Sequence, residues 1–597
     1  MKKIWIFLIA FLFWKINFIF AFNFTYESII DINKKYILIE LQSPQKNERY
    51  LCEIQTLSCE EKSFDFSLKP KNFFNYFFSP DFKSSLGQIK IENNKFITLY
   101  SKNDNSVFEI LNFPKKIERV FFGNDKTKLI LKSENKFYLF SINQNKIIKE
   151  LKLEGRFNVI EASPTLKYLA IYKNNTLHNN QRKFLIYDIE NEIMKEFLLD
   201  ELDYWDLLTE NNKIFHFLSD EILIFLSDHQ NYQTLYSYNI QTNEIQRFFP
   251  EDFTIKDFTI FQNKIFFTAN KENPLKWNLY EYDLVKKEIK KLVDYVSYDT
   301  YLTIIDNFLI FKKAGKYPPR IYFLDLLNYE LKALKIKKND EAIDIGEPRN
   351  YENKWFVVLK PENFEENKEY DLIIWLHGGP YRQTSLGYHP YFSYGVYDSL
   401  LEKLRKSGFI VIKIDYPGSF GYGRKFTESL KENIGKIDSQ SVFEIVKKIE
   451  EEFKIKQKFL MGNSYGGYLA LKTIYEYPDS FRGAISINGV TDWWSLIKKN
   501  PNSIFRIHFD GPPNNQNLKI YNQASLFLEK ERLKNKNILL IYGEKDKTIP
   551  NEQNFIFIKA YKDIAKIFYQ NLNEGHIIKN KDSLEKILLM ILIFTKL

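Results

Sequence analysis

Residues 462–467, Gly-Asn-Ser-Tyr-Gly-Gly, are the segment of this chain whose residue types and spacing point most directly to chemistry. They follow the apolar run 459–461 and precede the helix-forming run 468–472, so the serine falls at a sharp turn between a strand and a helix. A G-x-S-x-G pentapeptide in that setting is typical of a nucleophile elbow, which exposes the serine hydroxyl on a strained turn. A glycine-rich helix start explains the pentapeptide alone equally well, so the interpretation of Ser464 as a nucleophile depends on its partners.

A serine nucleophile needs a base that accepts its proton and a carboxylate that orients the base. In an α/β-hydrolase the acid and then the histidine follow the serine along the chain. Only two of the seven histidines, His508 and His576, come after Ser464. The best acid candidate is Asp546, which directly follows the apolar run 538–542, and His508 precedes it. Order therefore selects Asp546 and His576, although each residue taken alone would be interpreted as a solvated loop residue.

Acyl transfer also needs donors for the oxyanion of a tetrahedral intermediate. One candidate is the backbone N–H of Tyr465, the residue after the serine. The second candidate is the N–H of Gly379, in the loop 377–380 (His-Gly-Gly-Pro) that follows a strand-like apolar run. His377 precedes the serine, and we interpret its ring as ordering this loop. This chemistry requires no metal ion and no cofactor, and none is predicted.

Seven copies of one hairpin unit are found before residue 340. Each unit has an alternating strand, a polar turn and a second strand. The clear copies are 137–142, 184–189, 235–240 and 279–284, and weaker copies begin near Tyr50, Phe96 and Tyr322. Their spacing of roughly 40 to 50 residues is the period of a four-stranded propeller blade. We therefore predict an all-β propeller with seven blades; a stacked β-sandwich is the alternative.

The motifs together resemble the prolyl oligopeptidase family of serine peptidases, in particular its acylaminoacyl-peptidase-like branch. Besides the serine segment, the matching segments are 377–380, 418–423, 490–493, 543–550 and 574–576. The resemblance implies a C-terminal α/β-hydrolase domain with a mostly parallel, doubly wound sheet over 341–597. It also implies a propeller over 22–340 that caps the active site and admits short peptide substrates. Trp493, Trp494 and Phe505 lie in the region expected for the substrate pocket and suggest an apolar wall, which core packing explains equally well.

The resemblance also separates substrate classes. Dipeptidyl peptidases of the family anchor a free peptide N-terminus with paired glutamates from a propeller insertion. Residues 201–206 offer no convincing counterpart, and the pairs at 60–61 and 365–366 have turn-like, lysine-flanked surroundings typical of solvated charge. Oligopeptidase or acylaminoacyl-peptidase activity is therefore favoured. The alternatives are a carboxylic ester hydrolase with the same triad and a non-catalytic propeller scaffold.

The composition and the N-terminal residues indicate which partners and which cellular compartment to expect. The net charge of +9 is spread thinly, without the Lys/Arg block that binds nucleic acid. Lys2 and Lys3 precede apolar residues 4–14, so residues 1–21 are predicted to be a signal peptide that exports the protein to the periplasm or the medium. An uncleaved membrane anchor is the rival. An oxidising compartment would permit a disulfide between Cys52 and Cys59; two free thiols are the alternative.

Overall fold

The protein is described by a computed structural model, which covers residues 25–32, 35–63, 75–78, 85–90, 96–101, 109–134, 136–153, 157–174, 181–201, 214–296, 302–336 and 340–597. The predicted signal peptide, residues 1–21, lies outside the described residues. The segment 201–206 was compared above with the paired glutamates of dipeptidyl peptidases. Its residues 202–206 also lie outside the described residues. Within the described ranges, no helix has both the length and the apolar character that crossing a membrane requires.

The N-terminal part of the protein is a β-propeller of seven four-stranded sheets, as predicted. Each blade consists of four consecutive strands that pair antiparallel, so chain order and blade order coincide. In blades 1 to 4 the strands are β1 (Tyr26–Ile32), β2 (Tyr36–Gln42), β3 (Asn47–Glu53), β4 (Cys59–Lys62); β5 (Asn75–Phe78), β6 (Ser85–Lys90), β7 (Phe96–Ser101), β8 (Glu109–Leu111); β9 (Arg119–Phe122), β10 (Lys128–Ser133), β11 (Lys136–Ser141), β12 (Lys146–Leu151); β13 (Val159–Ala162), β14 (Tyr168–Asn174), β15 (Gln181–Asp188) and β16 (Ile193–Glu201). In blades 5 to 7 they are β17 (Phe215–Phe217), β18 (Ile222–Ser227), β19 (Thr234–Asn239), β20 (Ile245–Arg247); β21 (Ile255–Phe261), β22 (Lys264–Asn273), β23 (Lys276–Asp283), β24 (Glu288–Val293); β25 (Thr303–Ile305), β26 (Phe308–Lys313), β27 (Arg320–Asp325) and β28 (Leu331–Ala333).

The repeat recognised in the sequence corresponds to the third strand of each blade. Strands β15, β19 and β23 end on Asp188, Asn239 and Asp283. Each of these side chains accepts hydrogen bonds from the backbone N–H groups two and three residues later, at 2.9 to 3.2 Å. Such a turn reverses the chain into the fourth strand. The Asp or Asn at this position of the repeat is therefore explained by the turn that its side chain stabilises.

Blades 1 and 7 close the ring through side-chain packing. Ile39 of β2 and Cys52 of β3 share an apolar cluster with Ile321 of β27. Beside this cluster, the Lys335 N–H donates a hydrogen bond to the Leu57 carbonyl at 3.0 Å. The turn between β3 and β4 therefore contacts the end of the last blade.

That turn is also cross-linked. Cys52 and Cys59 are directly opposite each other on β3 and β4, and they form a disulfide. Of the two alternatives left open by the sequence, the structure has the disulfide. It fixes the hairpin that contacts blade 7.

Removing this disulfide should destabilise the propeller. The cross-link joins residues with a sequence separation of 7, and a loop of that size is expected to contribute about 2.5 kcal/mol by restricting the unfolded chain. We expect the Cys52→Ala/Cys59→Ala variant to lose about that free energy of unfolding in urea titrations. Reductant should lower the stability of the wild type to that of the variant and leave the variant unchanged. A wild type that does not respond to reductant would contradict the prediction.

The C-terminal part of the protein contains one eight-stranded sheet with helices on both faces, which confirms the predicted α/β-hydrolase fold. In spatial order its strands are β29 (Glu347–Tyr351), β30 (Lys354–Leu359), β32 (Ile410–Ile414), β31 (Tyr370–Leu376), β33 (Ile455–Asn463), β34 (Gly483–Ile487), β35 (Asn537–Gly543) and β36 (Lys566–Leu572). The pairs β29–β30 and β30–β32 are antiparallel, and the others are parallel. The helices are α1 (Phe392–Lys406), α2 (Arg424–Glu428), α3 (Ile437–Glu452), α4 (Tyr465–Glu476), α5 (Trp493–Lys499), α6 (Leu518–Ala524), α7 (Glu552–Tyr561) and α8 (Lys581–Phe594), with short 3₁₀ helices at Pro478–Ser480, Ile504–Phe509 and Lys530–Leu533.

The central strands of this sheet are apolar on both faces. In β31, Leu372 and Ile374 belong to the core beneath α3 and α4, whereas Ile373 and Trp375 belong to the core beneath α1 and α8. Successive side chains of a strand project to opposite faces. A parallel sheet covered by helices on both sides therefore requires a continuous apolar run, which is the pattern in the sequence.

Two loops at the carboxyl edge of the sheet join the hydrolase domain to blade 6. In the loop after β31, Gln383 Oε1 accepts a hydrogen bond from Trp277 Nε1 at 2.8 Å. In the loop after β32, the Gly421 carbonyl accepts one from Asn270 Nδ2 at 2.9 Å. Phe420 stacks on Trp277, with ring centroids 5.9 Å apart. The propeller is thus attached at the edge where an α/β sheet presents its active-site loops.

A buried ion cluster joins blades 4 and 5 to the start of α2, the helix that follows the loop after β32. Arg424 Nη1 donates to Asp200 at 2.8 Å. Asp200 also pairs with Arg182, which is fully buried and pairs in turn with Asp228 of blade 5. Loss of one member would leave a buried charge uncompensated, which is costly. The cluster therefore fixes these blades relative to the hydrolase domain.

Candidate active site

The serine segment forms a tight turn between β33 and α4. Ser464 lies at this turn with φ = 54° and ψ = −119°, a backbone conformation that a non-glycine residue rarely adopts. The residues two positions before and after it must be glycine, because a Cβ on Gly462 or Gly466 would lie 2.6 or 2.0 Å from the Leu376 carbonyl oxygen. The two glycines therefore allow the turn to pack against β31. This is the local geometry expected of a nucleophile elbow.

Ser464, His576 and Asp546, which were selected by their order along the chain, form a hydrogen-bonded line. His576 Nε2 is 3.0 Å from Ser464 Oγ, and His576 Nδ1 is 2.7 Å from Asp546 Oδ2. Ser464 follows β33, Asp546 follows β35 and His576 follows β36. Ser464 is only 9 % exposed. The histidine is thus within reach of the serine proton on one side and is oriented by a carboxylate on the other.

The Asp546 carboxylate is held by its own loop. Its Oδ1 atom accepts hydrogen bonds from the N–H groups of Thr548 and Ile549, both at 2.8 Å. Oδ2 therefore remains directed at His576 Nδ1. The histidine loop is fixed separately, because Asn488 Nδ2 donates to the His576 carbonyl at 2.9 Å. Both partners of the serine are pre-positioned before any substrate binds.

The two predicted oxyanion donors flank the serine. Tyr465 is the first residue of α4, and the N–H groups of a first helical turn have no acceptor within the helix. The Tyr465 hydroxyl donates to Asp438 Oδ2 at 2.5 Å, and burial raises the pKa of both groups. On the other side, a Cβ on Gly378 would lie 3.2 Å from Ser464 Cβ. The loop that carries Gly379 therefore lies against the nucleophile.

His377, the first residue of that loop, is buried. Its Nε2 atom is 3.0 Å from Ser419 Oγ and 3.2 Å from Asp415 Oδ1, and its ring stacks on Tyr416 at 4.6 Å. The Tyr416 hydroxyl also donates to the His377 carbonyl at 2.6 Å. These contacts agree with the interpretation that the His377 ring orders the loop.

The aromatic residues assigned to the substrate pocket separate into two groups. Trp493 is buried, and its ring lies 5.2 Å from the Phe505 ring and 6.0 Å from the Tyr465 ring. Trp494 is 36 % exposed and packs edge-to-face on Tyr521 at 5.4 Å. The structure therefore brings Trp493 and Phe505 together beside the elbow, and Trp494 lies apart from them.

The sequence offered no signal for several residues that support the site. Asp438, under the Tyr465 hydroxyl, and Asp415, beside His377, are fully buried carboxylates. Tyr381 and His508 form a buried hydrogen bond next to the oxyanion loop, at 2.7 Å between Oη and Nε2. His508 was considered in the sequence only as a base and set aside by its order.

Comparison with known proteins assigns the C-terminal domain to a family. Residues 396–596, which contain all three residues of the hydrogen-bonded line, match the family model described as the prolyl oligopeptidase family. The C-terminal domain belongs to the prolyl oligopeptidase family. Residues 178–307 match the N-terminal region of dipeptidyl peptidase IV, which agrees with a propeller that precedes a prolyl oligopeptidase domain.

Individual relatives of this chain are distant. The acylamino-acid-releasing enzyme of Mus musculus is 27 % identical over 214 residues, which are 34 % of this chain and 28 % of that enzyme. The chain thus aligns with less than a third of the length of this relative. A puromycin-hydrolyzing peptidase of Mycobacterium tuberculosis aligns in structure with a TM-score of 0.69 and 14 % identity, over 96 % of this chain and 94 % of the other. For the acylaminoacyl peptidase of Pyrococcus horikoshii the values are 0.61 and 16 %, over 96 % of each chain.

Proposed function

We propose that this protein is a serine peptidase that hydrolyses short peptides by acyl transfer. The observation that carries the proposal is the line from Ser464 Oγ through His576 to Asp546, with distances of 3.0 and 2.7 Å. A strained serine, a base within reach and a buried carboxylate behind it are the arrangement that makes a hydroxyl nucleophilic. Membership of the C-terminal domain in a peptidase family supports an amide substrate.

The reaction follows from the geometry. His576 Nε2 accepts the proton of Ser464 Oγ while the oxygen attacks the substrate carbonyl carbon. The N–H groups of Tyr465 and Gly379 donate hydrogen bonds to the developing oxyanion, each worth about 100- to 1000-fold in rate. The imidazolium then gives its proton to the leaving amine, and water repeats the sequence on the acyl-enzyme. Asp546 holds the tautomer that leaves Nε2 free to accept.

We further propose that the propeller restricts access to this site. Blade 6 is bonded to the loops after β31 and β32, at the sheet edge where Ser464, Asp546 and His576 lie. A domain attached there hinders the approach of a folded protein more than that of a short, extended peptide. The apolar pair Trp493 and Phe505 beside Tyr465 favours an apolar side chain next to the scissile bond.

One substrate panel tests these proposals. It contains acyl-alanyl, prolyl, basic and free-N-terminal peptides, a p-nitrophenyl ester and intact casein. We expect cleavage of N-blocked short peptides, and we expect a fluorophosphonate to modify the peptide that contains Ser464. Hydrolysis of the ester without any peptide would contradict the peptidase assignment. Equal rates on casein and on a short peptide would contradict restricted access.

We propose that the protein is exported. Support comes from the basic and apolar composition of residues 1–21 and from the Cys52–Cys59 disulfide, which is stable in oxidising compartments. Cleavage after Ala21 would leave Phe22 as the N-terminus. N-terminal sequencing of protein from the exported fraction checks this, and recovery only from cytoplasm or membranes would contradict it.

A further inference from the structure

We propose that Tyr381 and His508 are positioning residues that fix the second oxyanion donor, the Gly379 N–H, relative to Ser464. The inference rests on the proposed function and adds two residues to it. The hydrogen bonds of Ser464, His576 and Asp546 to one another do not involve either side chain. Their effect on the reaction would be exerted through the loop 377–380.

The two side chains form one buried unit. His508 is fully buried in the 3₁₀ helix Ile504–Phe509, and Tyr381 is 5 % exposed. The Tyr381 hydroxyl and His508 Nε2 share a hydrogen bond of 2.7 Å, and their rings stack with centroids 5.2 Å apart. A hydrogen bond combined with stacking restricts both the distance and the orientation of the pair. Breaking it would remove a hydrogen bond between two buried polar groups, which is costly, so the pair resists separation.

The Tyr381–His508 pair keeps the same charge over the pH range in which a peptidase works. Burial lowers the pKa of His508 to about 3. The imidazole is therefore neutral from weakly acidic to alkaline pH, where it can accept or donate one hydrogen bond to the tyrosine hydroxyl. A neutral, buried histidine that does not titrate near neutral pH is suited to holding a partner rather than to carrying a proton.

Tyr381 is connected to the oxyanion loop over a very short length of backbone. It directly follows Pro380, and a Cβ on Gly379 would lie 2.8 Å from the Tyr381 nitrogen. At the other end of the loop, His377 is held by Ser419 and Asp415. The donor nitrogen of Gly379 thus lies between two side-chain anchors. Releasing the Tyr381 anchor frees one of the two ends that hold this donor.

His508 connects this anchor to the aromatic group beside the elbow. Phe505 and Phe509, in the same 3₁₀ helix, both contact Trp493, with centroids 5.2 and 5.6 Å apart. Trp493 in turn contacts the ring of Tyr465, the residue that supplies the first oxyanion donor. The residues that carry the two oxyanion donors are therefore both linked to one packed aromatic group. This group sets the positions of the two N–H groups relative to each other.

The test compares Tyr381→Phe with a matched control, Tyr521→Phe. Tyr521 is similarly buried, its ring stacks on Phe509, and its hydroxyl donates to the Gly511 carbonyl at 2.9 Å and not to the His508 ring. Each variant loses one buried hydroxyl bond, so we expect similar falls in melting temperature. We expect Tyr381→Phe alone to lower kcat about 10- to 100-fold, because a misplaced donor loses part of its contribution. KM for a short peptide should stay unchanged. A peptide aldehyde forms a hemiacetal with Ser464 whose oxyanion uses the same donors, so its affinity should fall by the same factor as kcat.

Substitutions of His508 provide the rescue. Glutamine can place an amide near the position of Nε2, so His508→Gln should recover most of the kcat and aldehyde affinity that His508→Leu loses. Equal kcat and aldehyde affinity in Tyr381→Phe and Tyr521→Phe would overturn the inference, and so would a loss confined to KM. Should His508→Leu fail to fold, the tyrosine pair of variants still decides. A wild type that neither cleaves peptides nor reacts with fluorophosphonate would overturn the proposed function as well, which separates the two failures.

Discussion

Replacing Ser464 with alanine is expected to lower kcat for peptide hydrolysis about 10⁶-fold and to abolish fluorophosphonate labelling. The variant retains the oxyanion donors and the substrate contacts, which by themselves leave only a small residual acceleration over water. Its fold should be intact because the Ser464 side chain makes its contact through Oγ, to His576. The measurement is single-substrate kinetics together with mass mapping of the labelled peptide.

A buried serine on the neighbouring strand provides the control for this substitution. Ser486 lies in β34 and is also almost fully buried. Ser486→Ala removes the same atom from the same domain, and we expect it to hydrolyse peptides and to be labelled like the wild type. Labelling that persists in Ser464→Ala would show that another residue is the nucleophile.

The second large effect is expected for Asp546→Asn, with a fall in kcat of about 10⁴-fold. The asparagine oxygen can still accept from the Thr548 and Ile549 N–H groups, both at 2.8 Å in the wild type. Its NH₂ group is then directed at His576 Nδ1 and can only donate to it. The imidazole is forced into the tautomer that carries the proton on Nε2, so it can no longer accept the proton of Ser464.

The matched control is Asp563→Asn, an exposed aspartate after α7 that undergoes the same change of charge. We expect this control to keep the wild-type kcat. Thermal unfolding of both variants checks that the loss in Asp546→Asn is not a loss of fold. A decrease of less than tenfold in Asp546→Asn would contradict the assigned role of this carboxylate.

Features that depend on neighbouring residues could be predicted from the sequence. The third strands of the blades could be recognised because alternation and, in blades 4 to 7, the Asp or Asn at the turn are local patterns. The elbow could be recognised for the same reason, since its glycines meet the strand that carries the oxyanion loop. Order along the chain then selected Asp546 and His576, which the structure joins to Ser464 by hydrogen bonds.

Contacts between distant segments could not be predicted in this way. Tyr381 and His508 are 127 residues apart, and Trp277 and Gln383 are 106 residues apart. No periodicity relates such pairs, and each residue alone is compatible with ordinary core packing. The placement of Trp494 away from Trp493 depends on a short helix of seven residues whose orientation is set by tertiary packing. Which of several aromatic residues faces a pocket is therefore known only from the structure.

The bond from Trp277 to Gln383 means that the two domains are not exchangeable parts. Gln383 is in the same loop as Gly379, Pro380 and Tyr381, so blade 6 directly supports the loop that carries the proposed oxyanion donor. A chimera that joined this hydrolase domain to a foreign propeller would lose that support even with Ser464, His576 and Asp546 unchanged. Natural variation in blade 6 and in the loop after β31 should therefore be correlated, and the propeller is better regarded as part of the enzyme's mechanism than as an accessory.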